Sequence, residues 1–343
     1  MMRLPWFSYR SPATIAEAAS ILAGEGPSVM IVAGGTDLFP NMKRKQQVPK
    51  TLVSLRKVQG LKRIANGTGL TLGGALTLSD VVAAEPVRSG YRALWQAAAQ
   101  VATPHLRNMG TPGGNLCLDT RCTYYNQNFE WRQAIDFCMK KDGKICWVAT
   151  KSRLCLAVSS TDTASALIAL GAKVRLVSSR GEREVALADL YRNDGMDYLT
   201  LKSDEILTDV MLPAASGWQS SYWKLRRRGS FYFPVLGVAA AVRLGADGVV
   251  EDARIVLGAC APRPIVTKAG ELLIGKHLTD EVIAEIGAKA ASQAKPTDNT
   301  DLDLYWRKDV VANFVGYALR EVRGDDMRTE RMRIARQSLQ AVG

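Results

Sequence analysis

Histidine is nearly absent from this chain: His105 and His277 are the only two in 343 residues. A Ser-His-Asp triad, or a metal site built on histidine, cannot be assembled from them. Long apolar runs are missing too, and none approaches the roughly 18 residues that would span a bilayer. The opening residues, Met1-Met2-Arg3-Leu4-Pro5-Trp6-Phe7-Ser8, carry no apolar leader core and no small-residue cleavage site, so the expected location is the cytoplasm, with no membrane partner. No Gly-x-Gly-x-x-Gly follows a strand, which leaves a Rossmann dinucleotide site without support. With so little acid–base machinery, cofactors would have to carry the chemistry.

What is present describes an ordinary globular chain, 47% hydrophobic and 23% charged, and long enough for two or three domains. The charge is lopsided. Lysine and arginine number 45 against 33 acidic residues, a formal net charge of +12. That balance favours an acidic partner. The basic clusters are short, Lys43-Arg44-Lys45 and Arg226-Arg227-Arg228, and do not form the stripe expected of a nucleic-acid binder.

Periodicity divides the chain into three regions. The first, residues 1–55, reads as small and mixed α/β: a helix opened by Ser11-Pro12 and closed by Gly24, then strands at 29–33 and 51–55. The second, 56–215, has a strand at 70–74, a helical turn capped by Ser79-Asp80, and a helix over 91–101. After them come a helix from Asp162 to Leu170 and strands at 173–178 and 205–212. The third, 216–325, has strands at 222–227, 235–244 and 249–260, with Ala246-Asp247-Gly248 as a hairpin turn, then helices over 279–293 and 304–322. Antiparallel strands followed by helices make an α+β fold. Residues 326–343 read as a peripheral helix or a frayed tail.

Two features carry chemistry. Glycine pairs stand at Gly34-Gly35 and Gly113-Gly114, where backbone can approach a ligand closely and successive amides can cradle phosphate oxygens. Five of the six cysteines, Cys117, Cys122, Cys138, Cys146 and Cys155, fall in one stretch, interleaved with Tyr124, Tyr125, Phe129, Trp131, Phe137 and Trp147. Beyond Cys122 the gaps are fifteen, seven and eight residues, without the close pairing of zinc modules. A [4Fe–4S] cluster needs four thiolates at freer spacing and an apolar shell, and it is the leading reading. Cys117, tied to the glycine turn, reads as a packed small hydrophobe, and Cys260 as strand core. The rival of another class is a zinc-stabilised basic protein that binds nucleic acid.

Taken in order, Ala33-Gly34-Gly35-Thr36-Asp37-Leu38, Arg107-Asn108, Thr111-Pro112-Gly113-Gly114-Asn115, the helix headed by Asp162, Glu205-Ile206-Leu207 and Tyr222-Trp223-Lys224 resemble the FAD-binding subunits of the xanthine dehydrogenase family of molybdenum hydroxylases. The insert at about 117–157 is similar to that of the 4-hydroxybenzoyl-CoA reductase β subunits. The resemblance implies a two-part FAD-binding unit of the PCMH (VAO-like) type, then an α+β domain like that of CO dehydrogenase flavoproteins. It implies FAD held by Met30, Ile31, Val32, Ala33, Gly34, Gly35, Thr36 and Asp37, and by the turn Thr111, Gly113, Gly114 and Asn115, with the amides of both segments on the pyrophosphate. Val101 and Ile206 would lie against the flavin, Asp162 would accept a hydrogen bond from the cofactor, and Lys224 would place a positive charge near the ring. Pro112 stands where relatives carry a branched aliphatic residue and removes one amide donor.

The resemblance further implies a [4Fe–4S] cluster on Cys122, Cys138, Cys146 and Cys155. The implied partners are a large molybdenum-cofactor subunit and a small [2Fe–2S] subunit, in a dimer of heterotrimers. The implied activity is reductive removal of the phenolic hydroxyl of 4-hydroxybenzoyl-CoA, with electrons from ferredoxin passing through the cluster and FAD. The alternative within the family is an oxidative hydroxylase acting on another aromatic or CoA substrate.

Overall fold

The computed structural model describes residues 3–340, with side chains through residue 335, as three sheets arranged in chain order. The first unit is a parallel sheet of β1 (Ser8–Arg10), β2 (Val29–Val32) and β3 (Thr51–Ser54), with β3 in the centre. Parallel pairing needs a crossover, and the helix Ile15–Glu25 supplies it between β1 and β2. This helix starts later than expected. Thr14, not Ser11, is its cap, accepting from the Glu17 amide at 3.1 Å while the Glu17 carboxylate accepts from the Ala13 amide at 2.8 Å.

The second unit is an antiparallel sheet of β4 (Ile64–Asn66), β5 (Leu70–Gly73), β6 (Lys173–Ser178), β7 (Gly181–Ala186) and β8 (Ile206–Leu212), in the order β4-β5-β8-β6-β7. Placing β8 beside β5 brings residue 206 back against the segment around residue 74. The short helix Leu78–Ala83 is capped by Thr77 rather than Ser79-Asp80, and Asp80 instead completes the capping box from the third position. The helix Asp162–Ala169 is buried at every position.

The third unit is the antiparallel sheet β9 (Trp218–Leu225), β10 (Leu236–Leu244), β11 (Val250–Gly258) and β12 (Ile265–Thr267), in the order β12-β11-β10-β9. Strand β10 shows how it is placed. Val238, Ala240 and Val242 pack with Ile283, Ile286, Val311 and Phe314 of the helices Asp280–Gln293 and Leu304–Arg323. The alternate residues Ala239 and Ala241 face the core of the second unit, beside Ala164 and Leu167. With both faces covered, the strand reads as a continuous apolar run. The expected tail is a helix, Arg328–Gln340, anchored where Arg331 lies 4.0 Å over the Trp223 ring and pairs with Glu321; residues 341–343 of that tail lie outside the described residues.

The insert between Cys117 and Ala157 holds one short helix, Phe129–Ala134, and little other regular structure. Side chains keep it together. The buried Lys140 ammonium donates to Asp119 Oδ1 (2.8 Å), Thr120 Oγ1 (2.7 Å) and the Gly195 carbonyl (2.6 Å). Arg132, also buried, donates to the Arg44 carbonyl at 3.0 Å and so fastens the insert to the first unit.

Candidate functional site

A cleft of about 800 Å³ opens where the loop after β2, the helix Pro112–Leu116 and the start of β8 meet. That volume lies within the range of cofactor pockets. Every residue expected around a flavin lines it, with the exception of Lys224. These positions span most of the chain, and the glycines explain how they come together. A Cβ on Gly34 would stand 1.9 Å from the Met109 carbonyl oxygen, and one on Gly113 would stand 2.8 Å from the Gly74 carbonyl oxygen. Both contacts are with backbone, which has little room to yield.

The two glycine segments offer different groups to a ligand. In the first, the amides of Gly34, Gly35, Thr36 and Asp37 make no hydrogen bond to the described protein, and Gly35 takes φ +71°. In the second, the amides of Gly113, Gly114 and Asn115 are already engaged. Gly113 donates to the Gly74 carbonyl at 3.0 Å, Gly114 to Thr111 Oγ1 at 3.0 Å, and Asn115 to the Thr111 carbonyl at 2.8 Å. The expected open turn is in fact the first turn of a helix with Thr111 as its cap. Gly34 to Asp37 therefore have open amides, while those of Gly113, Gly114 and Asn115 are committed within the protein.

Asn115 lines the cleft and ties its walls together. Its Oδ1 accepts from Thr161 Oγ1 (2.7 Å) and Thr163 Oγ1 (2.6 Å), which sets the start of the Asp162 helix. Asp162 itself is buried and accepts from Tyr222 Oη at 2.8 Å and Lys224 Nζ at 3.0 Å. Burial pushes its carboxyl pKa up, opposed by the charge and hydrogen bond of Lys224. Lys224 is fully buried behind this carboxylate, and its ammonium also donates to the Gln100 carbonyl at 3.0 Å. Burial draws its pKa down, against the pull of Asp162. The positive charge expected near the ring thus lies behind the cleft wall and holds Asp162. Val101 lies in the wall, and Ile206 is 0% exposed, joined to the core of the first unit.

Arg121 is a further cleft residue, outside the expected set. It lines the cleft, is buried, and contacts Asp37 and Asn41 across the first glycine loop. Burial lowers its pKa to about 10, which leaves it charged at neutral pH. A signal exists in the sequence: an arginine next to Cys122, an expected cluster ligand that needs an apolar shell, must find a partner.

Cys122, Cys138, Cys146 and Cys155 line one small cavity of about 10 Å³ with Tyr125, Met139, Lys140 and Trp147. All four are buried and free of disulfides. Burial pushes the Cys122 thiol up to about 12 and the Cys155 thiol to about 11, so both need a cation to ionise. Among the described residues, no group of three or more His, Cys, Asp or Glu is arranged to hold a metal ion. A single tetrahedral zinc would draw four sulfurs to within about 3.8 Å of one another, so the thiols are gathered but not closed on one ion. Cys122 borders both this cavity and the cleft, Cys117 borders the cleft alone, and Cys260 lies in the core of the third unit.

The family described as FAD binding domain in molybdopterin dehydrogenase matches residues 5–215, and the CO dehydrogenase flavoprotein C-terminal domain matches 220–322. The aldehyde oxidoreductase FAD-binding subunit PaoB of Escherichia coli (strain K12) is 30% identical over 328 residues, covering 91% of this chain and 98% of that protein. The nicotinate dehydrogenase FAD-subunit of Eubacterium barkeri is 29% identical, covering 81% and 82%. Carbon monoxide dehydrogenase from Hydrogenophaga pseudoflava superimposes with a TM-score of 0.75 at 24% identity, covering 93% of this chain and 97% of that one. Quinoline 2-oxidoreductase from Pseudomonas putida 86 gives 0.74, also at 24%, covering 94% and 99%. The expected fold, an FAD-binding unit followed by an α+β domain, is the one observed.

Proposed function

The chain belongs to the FAD-binding subunits of the xanthine dehydrogenase and CO dehydrogenase family of molybdenum hydroxylases, and from that premise we propose that it is an electron-transfer subunit holding both FAD and a [4Fe–4S] cluster. The observation that carries the second cofactor is the gathering of four buried, unpaired cysteines on one cavity, with Cys122 in the wall it shares with the cleft. Bound FAD supplies one- and two-electron exchange. The free amides of Gly34 to Asp37 hold its pyrophosphate, Val101 and Ile206 bound the flavin, and Asp162, held by Lys224 and Tyr222, accepts a hydrogen bond from it. The cysteine ligands are Cys122, Cys138, Cys146 and Cys155. We take the domain limits to be 1–55, 56–215 with the insert, and 216–325.

The resemblance of the insert supports the reductive assignment: dehydroxylation of 4-hydroxybenzoyl-CoA in a complex with a molybdenum-cofactor subunit and a [2Fe–2S] subunit, with ferredoxin as donor. The net charge of +12 suits an acidic donor. A second reading, outward electron flow from an oxidised substrate, is favoured by the aldehyde oxidoreductase subunit at 30% identity. The zinc-stabilised nucleic-acid binder is displaced by the family.

Iron, sulfide and flavin analysis of the purified chain, with electron paramagnetic resonance after reduction, tests the two-cofactor reading. About four irons and one FAD are expected, and Cys138→Ser loses the cluster signal while FAD stays bound. Zinc without iron, or a cluster signal that survives Cys138→Ser, overturns the cysteine assignment. Turnover of the whole complex with reduced ferredoxin and 4-hydroxybenzoyl-CoA, against turnover with aldehydes, separates the two directions.

A further inference from the structure

The cleft contains a buried cation that the flavin reading leaves without a task. Arg44, Arg121, Lys202 and Arg228 are the lysines and arginines that line it among the described residues, and of these only Arg121 is buried. Its side chain is 5% exposed. One terminal nitrogen donates to Asn41 Oδ1 at 3.2 Å and the other contacts the Asp37 carboxylate. The guanidinium lies 4.5 Å from the centre of the Phe233 ring, which belongs to the loop between β9 and β10. Its backbone is bonded in both directions to Val158, at 2.8 Å each way. Three parts of the chain therefore hold this side chain in place. Its Nε nonetheless has no hydrogen-bond partner, and a buried donor left unpaired is costly.

Asp37 makes the position informative. It ends the run of four free amides and lines the same cleft, with Asn41 Nδ2 donating to its carboxylate at 3.0 Å. An uncompensated carboxylate there would repel any anion resting on those amides. Arg121 cancels that charge from inside the wall.

We propose that Arg121 is the charged member of the pyrophosphate site: it neutralises Asp37 from within the wall of the cleft, while the open amides of the glycine loop supply the donors that touch the phosphates. The inference rests on FAD occupying the cleft, and it deepens that reading by naming the residue that distinguishes a phosphorylated flavin from a bare one. A guanidinium stays charged when buried and pairs with a carboxylate through strong, charge-assisted bonds.

The full-length chain, stripped of flavin, can be titrated with FAD and with riboflavin, which has no phosphate, by following flavin fluorescence. Arg121→Gln should weaken FAD about 10- to 100-fold, the range for leaving a charged group without its partner, and leave riboflavin within about twofold. In Arg121→Gln with Asp37→Asn, removal of the repelling carboxylate should recover part of the loss. Undiminished FAD affinity in Arg121→Gln overturns the proposal, and so does an equal loss for FAD and riboflavin, the mark of a residue that only shapes the fold. Should Arg121→Gln not fold, Arg121→Met keeps the length without the charge, and the same two ligands decide by the same criteria. If the unaltered chain takes up neither flavin, it is the FAD reading that fails. FAD bound equally by parent and variant sinks Arg121 alone.

Discussion

Gly34-Gly35 and Gly113-Gly114 look interchangeable in sequence, each a glycine pair beside a threonine and a polar residue. In the folded chain they do opposite work. The first pair keeps four consecutive amides open and packs edge-on against the Met109 carbonyl. The second has spent its amides on Gly74, on the Thr111 hydroxyl and on its own helical turn. The difference has a simple origin. Thr111 caps a helix, and capping consumes the donors that an open loop would leave free. A glycine pair thus marks a place where backbone comes close to something, and only the hydrogen-bond ledger of the fold says to what. For this cleft, it leaves the open donors at residues 34–37, the segment proposed for the phosphates, and commits the amides of Gly113, Gly114 and Asn115 to the wall.

The strongest way to break the comparison is Gly34→Ala. The added methyl would meet a carbonyl oxygen 1.9 Å away, and neither strand end nor the 109–110 segment can move without disturbing the cleft. Overpacking of this kind costs about 3 kcal/mol. A thermal melt of the variant should show that loss, with FAD uptake falling alongside it. A variant as stable as the parent would mean that the two segments are not locked together at this point.

Much of this site could be read from the sequence. Residues 30–37, 111–115, 162 and 206 share one cleft because their order along the chain reflects a recurring arrangement of strands and turns, and local signals placed most of the long helices and strands. What the sequence hid is long-range. The spent amide of Gly113 depends on Gly74, nearly forty residues away, through β5. Lys224 looked free to face the ring, but a buried carboxylate on another element turned it inward. The helix caps at Thr14 and Thr77 were missed because a neighbouring serine offered a similar oxygen, and the choice was settled by Glu17 and Asp80 standing three residues on. Strands β1, β4 and β12 are three residues each, too short for any period to register. Arg121 was masked by the cysteine beside it.

A smaller effect comes from Thr111→Val, which keeps the shape and removes the cap. The helix Pro112–Leu116 then loses the acceptor for the Gly114 amide, at a cost of about 1 kcal/mol. In a domain of this size that corresponds to roughly 2–4 °C in Tm. Calorimetry should register the shift with FAD affinity almost unchanged, since no open donor is lost. A strong fall in FAD affinity without a change in Tm would place the Thr111 hydroxyl on the ligand and contradict its role as a cap.

Gly114→Ala should have the least effect, and it sharpens the comparison most. The residue does not need positive φ, so the backbone accepts a side chain. Its Cβ would sit 3.0 Å from Thr111 Oγ1, a contact that must loosen by a few tenths of an ångström. Against that strain stands the gain from replacing glycine inside a helix, about 0.5–1 kcal/mol. The two nearly cancel, and the net change in stability should stay within about 1 kcal/mol. FAD affinity should then fall far less than in Gly34→Ala, because the amide of Gly114 is already committed to Thr111. If a stable Gly114→Ala variant instead loses FAD as completely as Gly34→Ala, the second glycine pair lies against the nucleotide as closely as the first. The division of labour drawn from their hydrogen bonds would then be wrong.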